Sequence, residues 1–345
     1  LVERERILKI SAIFWGDFLF PPTNMKKQLF IPVLVTLILI AVGFNKPTPQ
    51  PGEPARARFK WTGAWQPTRK SAGDGITKLD IKIGQFITLP NKEAMAQVIF
   101  NINNKFPGSA PWVTWAVGDL SRATPAYAGI TNETHEAWLS YMDRLGVKIF
   151  LEIFPFKANA KKGTAATDIP ATMDTWLQKF KHHTCVAGMG IELEYWGKAT
   201  DSAVTTWDTK LKSYKSAYRL FLRHYDAGHM PPTYRGKGDL IFINDASEGT
   251  IEELNQGFAN WANRFAPTAV AFQVGYPADE DGMNGSAELG WWKLKDPIKD
   301  WGQAILPLIK DTKQELGYIW VTAQSGKTYH TKWDITKDAR LPVQR

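Results

Sequence analysis

The sequence predicts an α/β chain closed into a (β/α)8 TIM barrel, a single domain preceded by an export signal and a Pro-rich linker. Three observations lead there. Near-continuous apolar runs recur along the chain, as expected of parallel strands covered on both faces. Segments of helical period separate them, which is the signature of repeated βα units. No Gly-rich dinucleotide fingerprint follows the first run, which argues against an open doubly wound sheet.

In chain order, residues 1–24 precede Met25 and read as an upstream extension outside the mature protein. From Met25, "MKKQLFIPVLVTLILIAVGFN" sets Lys26 and Lys27 before an apolar run from Leu29 to Phe44. That is the order of an export signal, 25–44, with Ala41-Val42-Gly43 as a small-x-small cleavage site. The run is shorter than the roughly 18 residues of a spanning helix, and an uncleaved anchor is the alternative. Residues 45–57, "NKPTPQPGEPARA", read as an extended linker. The barrel is assigned to 58–345, in a protein that is secreted, periplasmic or at the cell surface. A membrane is met only through such an anchor.

Within the barrel, strands are expected at 82–89, 112–118, 147–154, 188–195, 240–245, 269–276 and 317–323. Helices are expected at 92–104, 132–145, 171–183, 206–225, 250–264 and 297–315. "TNETHEAWLSYMDRLG" carries a cap residue at its start and Gly146 at its end. "FKWTGAWQ" (59–66) either supplies the missing eighth strand or plugs the barrel bottom.

The chain of 345 residues is 44% hydrophobic and 22% charged, an ordinary globular balance. A net charge of +8 comes from short scattered basic runs, without any nucleic-acid-binding motif, so nucleic acid is not a partner on this reading. The single cysteine, Cys185, excludes an intrachain disulfide and reads as a small core residue. Fifteen tryptophans offer flat apolar faces, which pack cores and also stack on sugar rings.

The most informative stretch is "GMGIELEYWG", residues 188–197. Residues two apart on a strand share a face, so Gly188, Gly190, Glu192 and Glu194 line one side. With the apolar set against the helices, the Gly/Glu set faces the barrel interior. Glu194 then stands at the carboxyl end, where barrel enzymes place their chemistry, and the two glycines leave room for a pocket. Like charges so close raise one carboxyl's pKa and poise a general acid; the competing expectation is a buried glutamate paired with an Arg or Lys across the barrel.

"CVAGMGIELEYWG" resembles the fourth-strand signature D-x-x-D-x-D-x-E of the family-18 glycoside hydrolases, the chitinases and endo-β-N-acetylglucosaminidases. Glu194 falls on the family's catalytic acid and Glu192 on the Asp two before it, whereas Ala187 and Gly190 replace the other two Asp residues. Tyr276 and Trp320 fall on the Tyr of M-x-Y-D and on the Trp that floors the sugar site. The S-x-G-G positions read Glu152, Ile153, Phe154 and Pro155, and the M-x-Y-D aspartate is Pro277. The resemblance implies an exported glycoside hydrolase acting on a β-linked polysaccharide or glycan, with N-acetylglucosamine among the candidate sugars.

Cleaving a glycosidic bond needs a proton for the leaving oxygen and a negative or nucleophilic group near the anomeric carbon. Glu194 is the expected acid/base; Glu192, Glu152 and Asp245 are candidates for the second role, Asp245 alternatively as an Asx cap. Asn244, Gln273 and Gln324 are amides near strand ends suited to hydroxyls, and Trp196, Trp320 and Trp115 are stacking candidates. Two alternatives stay open: a non-catalytic carbohydrate-binding barrel, and a two-carboxylate glycosidase of another barrel family using Glu152 and Glu194. No cofactor is expected. No metal site is expected either, since His182 and His183 should point apart and His224 and His229 lie five residues apart.

Overall fold

The structure is a computed structural model, and it describes residues 56–67, 80–81, 84–85, 92–117, 132–155, 168–194, 196–247, 249–275, 291 and 294–321. Eight parallel strands close into a barrel: β1 (Phe59–Pro67), β2 (Ala110–Ala116), β3 (Lys148–Ile153), β4 (Val186–Glu192), β5 (Arg219–Arg223), β6 (Ile241–Asn244), β7 (Ala269–Val274) and β8 (Leu316–Trp320). Strand β1 pairs with β2 on one side and β8 on the other, which closes the ring. "FKWTGAWQ" is thus a barrel strand and not a plug.

The described helices are α1 (Lys92–Asn104), α2 (Asn132–Leu145), α3 (Ile169–Phe180), α4 (Asp201–Lys212), α5 (Ile251–Phe265) and α6 (Pro297–Ile305). Six connections therefore carry an α-helix among the described residues. The β5–β6 connection has a single 3-10 turn, Ala227–His229, in place of one. Helix α2 ends as its sequence requires. Gly146 takes φ +69°, Val147 N–H reaches back to Met142 O and Gly146 N–H to Asp143 O, a Schellman closure that a side chain with a Cβ would strain. Helix α5 opens on a capping box, with Thr250 and Glu253 each accepting from the other's backbone N–H.

Alternation along the strands divides the apolar residues into two cores. Trp65, Trp112, Phe150, Phe221, Ile243, Ala271 and Ile319 fill the barrel, while Trp115, Leu151, Met189, Leu222, Phe272 and Trp320 belong to the core between strands and helices. The barrel is therefore packed through its middle layers, and polar chemistry is left to its ends.

Three expectations are corrected. Of the strand expected at 82–89, the described residues Gly84–Gln85 pair antiparallel with Asp80–Ile81 in a separate two-stranded sheet, and β1 is the strand that completes the barrel. The expected helix 206–225 is α4 followed by β5; Leu211, Tyr214, Tyr218 and Leu222 continue a helical spacing by coincidence and hide the strand. The expected helix 297–315 stops at Ile305 and gives way to the 3-10 turn Leu306–Leu308. No described helix is long and apolar enough to cross a membrane, and the leader and most of the linker lie outside the described residues.

Candidate functional site

The carboxyl ends of β3 to β6 bring together Glu152, Glu192, Arg223 and Asp245. Glu192 and Arg223 are register partners on β4 and β5, and Glu152 lies opposite Gly190. The guanidinium sits at the centre: Nε donates to Glu152 Oε1 at 2.6 Å, one terminal nitrogen to Asp245 Oδ2 at 2.7 Å, and the other lies 2.5 Å from Glu192 Oε2. Trp65 Nε1–H donates to the second Glu152 oxygen at 2.8 Å. The Trp65 and Phe154 rings flank the guanidinium at 5.6 and 5.3 Å. Burial of an arginine is tolerable only with such pairing and satisfied donors.

Three acids around one cation cannot all be comfortably ionised. Burial pushes Glu152 above the usual carboxylate range, against the pull of Arg223 and Trp65. Burial pushes Glu192 well up, and the like charges of Asp245 and Glu152 add to it against the pull of Arg223. Burial raises Asp245 too, again against Arg223. Glu192 is thus the member whose neutral form the surroundings favour most.

Glu194 departs from this cluster. It is exposed in the turn that follows β4, and its backbone N–H donates to Glu192 Oε1 at 2.8 Å. The paired inward face of Glu192 and Glu194 expected from strand alternation therefore ends at Glu192, where the strand ends. The pocket expected over the two glycines is filled: a Cβ on Gly190 would fall 1.9 Å from the Phe221 ring, and one on Gly188 1.9 Å from Arg219 O. A cavity of about 450 Å³ lies instead at the barrel's amino-terminal end, walled by Trp61, Trp112, Lys148, Val186 and Arg219.

The remaining candidates scatter. Trp320 is buried between strands and helices, edge-on to Trp291 at 5.2 Å, and Trp115 is buried against Trp138 at 4.1 Å, so neither presents a face to a ligand. Both stand at outward positions of their strands, which the sequence motif alone does not disclose. Trp196, half-buried, packs edge-on against Trp207. Asn244 is buried and caps the strand end by accepting from Ala246 N–H at 2.8 Å, the Asx role first considered for Asp245. Gln273 is buried on the inward face of β7 beside Ile319. Tyr276 and Gln324 lie outside the described residues.

Arg223 is the residue that sequence reasoning missed. Its signal was present as two arginines, Arg219 and Arg223, bracketing "LFL" at strand spacing. Arg219 is similarly accommodated at the other end, donating to Glu315 at 2.9 Å and lying over the Trp61 ring.

Histidines behave differently from expectation. The His182 and His183 rings lie side by side, centroids 4.2 Å apart, and both reach Glu136. His224 stacks on His229 at 3.8 Å and accepts from Asp226 N–H; burial and the neighbouring His229 lower its pKa to about 4.

No protein-family model and no curated protein matches the sequence. Among solved structures, the chain is similar to the catalytic domain of a mannanase from Streptomyces sp. SirexAA-E, at 13% identity and TM-score 0.43, over 82% of this chain and 88% of that one. It is also similar to a D-psicose 3-epimerase from Clostridium cellulolyticum H10, at 10% identity and TM-score 0.35, over 82% and 93%. Neither is a family-18 chitinase.

Proposed function

We propose that the protein is a glycoside hydrolase working at the carboxyl-terminal mouth of the barrel, with Glu194 as the acid/base that meets the glycan. The observation that carries this reading is the hierarchy at the end of β4. Arg223 holds Glu192, Glu192 accepts from the Glu194 N–H, and Glu194 is thereby set at the mouth with its side chain exposed. Glu192 is on this view a positioning residue. The carbohydrate class is supported by the likeness of "CVAGMGIELEYWG" to a glycosidase strand.

The second carboxylate is better sought in Asp245 than in Glu152. Both Glu152 oxygens accept hydrogen bonds and the side chain is fully buried, so a substrate atom has no access to it. The Asp245 side chain is 8% exposed against 0% for Glu152, and its buried Oδ1 has no hydrogen-bond partner from another described residue, which leaves one oxygen uncommitted. A pair of Glu194 and Asp245 corresponds to a conventional two-carboxylate glycosidase.

A second reading, a carbohydrate-binding barrel without turnover, is favoured by one fact: Arg223 engages all three buried carboxylates. Reducing-sugar release from a polysaccharide panel separates the two. Turnover that disappears in Glu194→Gln while glycan retention in affinity electrophoresis persists supports the hydrolase. Retention without turnover in the unmodified protein supports the binder, and full activity in Glu194→Gln removes Glu194 from the acid role.

A further inference from the structure

We propose a metal site of the zinc class on the outside of the barrel, made by Glu136, His182 and His183 with Asp143 as the orienting carboxylate. It lies before the start of β4, against α2, at the opposite end of that strand from Glu194. Glu136 and Asp143 are seven residues apart and so share one face of α2, two turns from each other. His183 spans the gap between them.

Three side-chain atoms converge on one point. His182 Nε2 lies 2.8 Å from Glu136 Oε1 and His183 Nε2 lies 3.0 Å from the same oxygen. All three atoms fall within 4.8 Å of one another. His183 is 2% exposed, and its Nε2 is buried with no aligned hydrogen bond among the described residues. Its other nitrogen is committed: Nδ1 is 2.6 Å from Asp143 Oδ2. Asp143 is itself fixed, its second oxygen accepting from Thr184 Oγ1 at 2.9 Å and from the Cys185 N–H at 2.6 Å.

In the tautomer that donates Nδ1–H to Asp143, the Nε2 lone pair of His183 faces the Glu136 oxygen, and a cation between the two is held by both. An imidazole protonated on both nitrogens and bridging Asp143 and Glu136 is the metal-free alternative that the titration below tests. A carboxylate behind a ligating imidazole is the usual second layer of zinc sites, and two His with one Glu is a three-ligand zinc set that leaves a fourth position open. Zinc distances of about 2.0–2.2 Å place ligand atoms roughly 3.3 Å apart. Glu136 and His182, with side chains 43% and 57% exposed, can open by those few tenths of an ångström. Cys185 is not a ligand. Its thiol donates to Leu139 O, away from the Glu136 oxygen.

The test is a Zn2+ titration of the chelator-stripped full chain against a chromophoric chelator, repeated with Co2+ by visible spectroscopy. One equivalent should bind at micromolar Kd or tighter and raise the Tm. His182→Ala and Glu136→Gln, at positions whose side chains are 57% and 43% exposed, should each weaken binding at least tenfold and remove the Tm rise. Asp143→Asn should weaken it by about 10- to 100-fold. A double change of His224 and His229 to Ala should leave it unaltered. Binding no tighter than millimolar, or binding that survives combined His182→Ala and Glu136→Gln, overturns the site. So does loss of binding on changing His224 and His229 alone.

Discussion

Replacing Arg223 with Met keeps most of the side-chain volume and removes the one cation at the centre of three buried acids. The side chain donates to Glu152 and Asp245 and pairs with Glu192. Breaking a single buried pair by deleting one partner costs about 3–5 kcal/mol, because the other charge is left uncompensated. Here three carboxylates lose their partner together, so a loss at or above that range is expected at pH 8. The loss must also depend on pH. All three carboxylates already titrate above their ordinary values. A carboxyl whose folded pKa exceeds its unfolded one binds more protons when folded, so stability falls as pH rises between the two values. Arg223 is the factor pulling all three down, and without it the folded pKa values climb further, each unit being worth about 1.4 kcal/mol. Urea unfolding followed by tryptophan fluorescence at pH 5 and pH 8 should show the variant markedly less impaired at pH 5. A loss under about 1 kcal/mol, or an equal loss at both pH values, would refute the account of the cluster.

Three further outcomes follow from the same geometry. Glu192→Gln relieves like-charge crowding, but with its amide oxygen on the Glu194 N–H its NH2 faces the Arg223 guanidinium donor against donor, so a loss of roughly 1–3 kcal/mol at pH 8 is expected; unchanged stability in urea unfolding contradicts this. Gly190→Ala drives a methyl into the Phe221 ring and should cost roughly 1–3 kcal/mol as overpacking, read from the denaturation midpoint. His224, with a pKa lowered to about 4, should stay neutral on an NMR titration down to about pH 5. Its folded pKa lies below the unfolded value, so its contribution to stability is complete above about pH 6.5 and fades as pH falls towards 4; protonation near pH 6.5 in the folded chain would remove that contribution.

The sequence by itself determined the repeating architecture and the address of the acids. Short-range periodicity marks β2, β3, β4, β6, β7 and β8, and it marks helices such as α2 and α5, because each element's burial pattern is written into residues two to four apart. It also marks Glu152 and Glu192 as charges inside apolar strands. What it does not carry is what stands opposite them. Strand β5 was hidden because Leu211, Tyr214, Tyr218 and Leu222 mimic a helix, and with it went Arg223, 71 residues from Glu152 in sequence and 2.6 Å away in space. The direction of Trp320 and Trp115 was undecided for the same reason, since inward and outward positions are equally apolar in a strand covered on both faces. Only closure of the ring decides which residues meet. The energy of a buried charge depends on the group facing it across the barrel, and that sets two glutamates expected to do chemistry against one arginine.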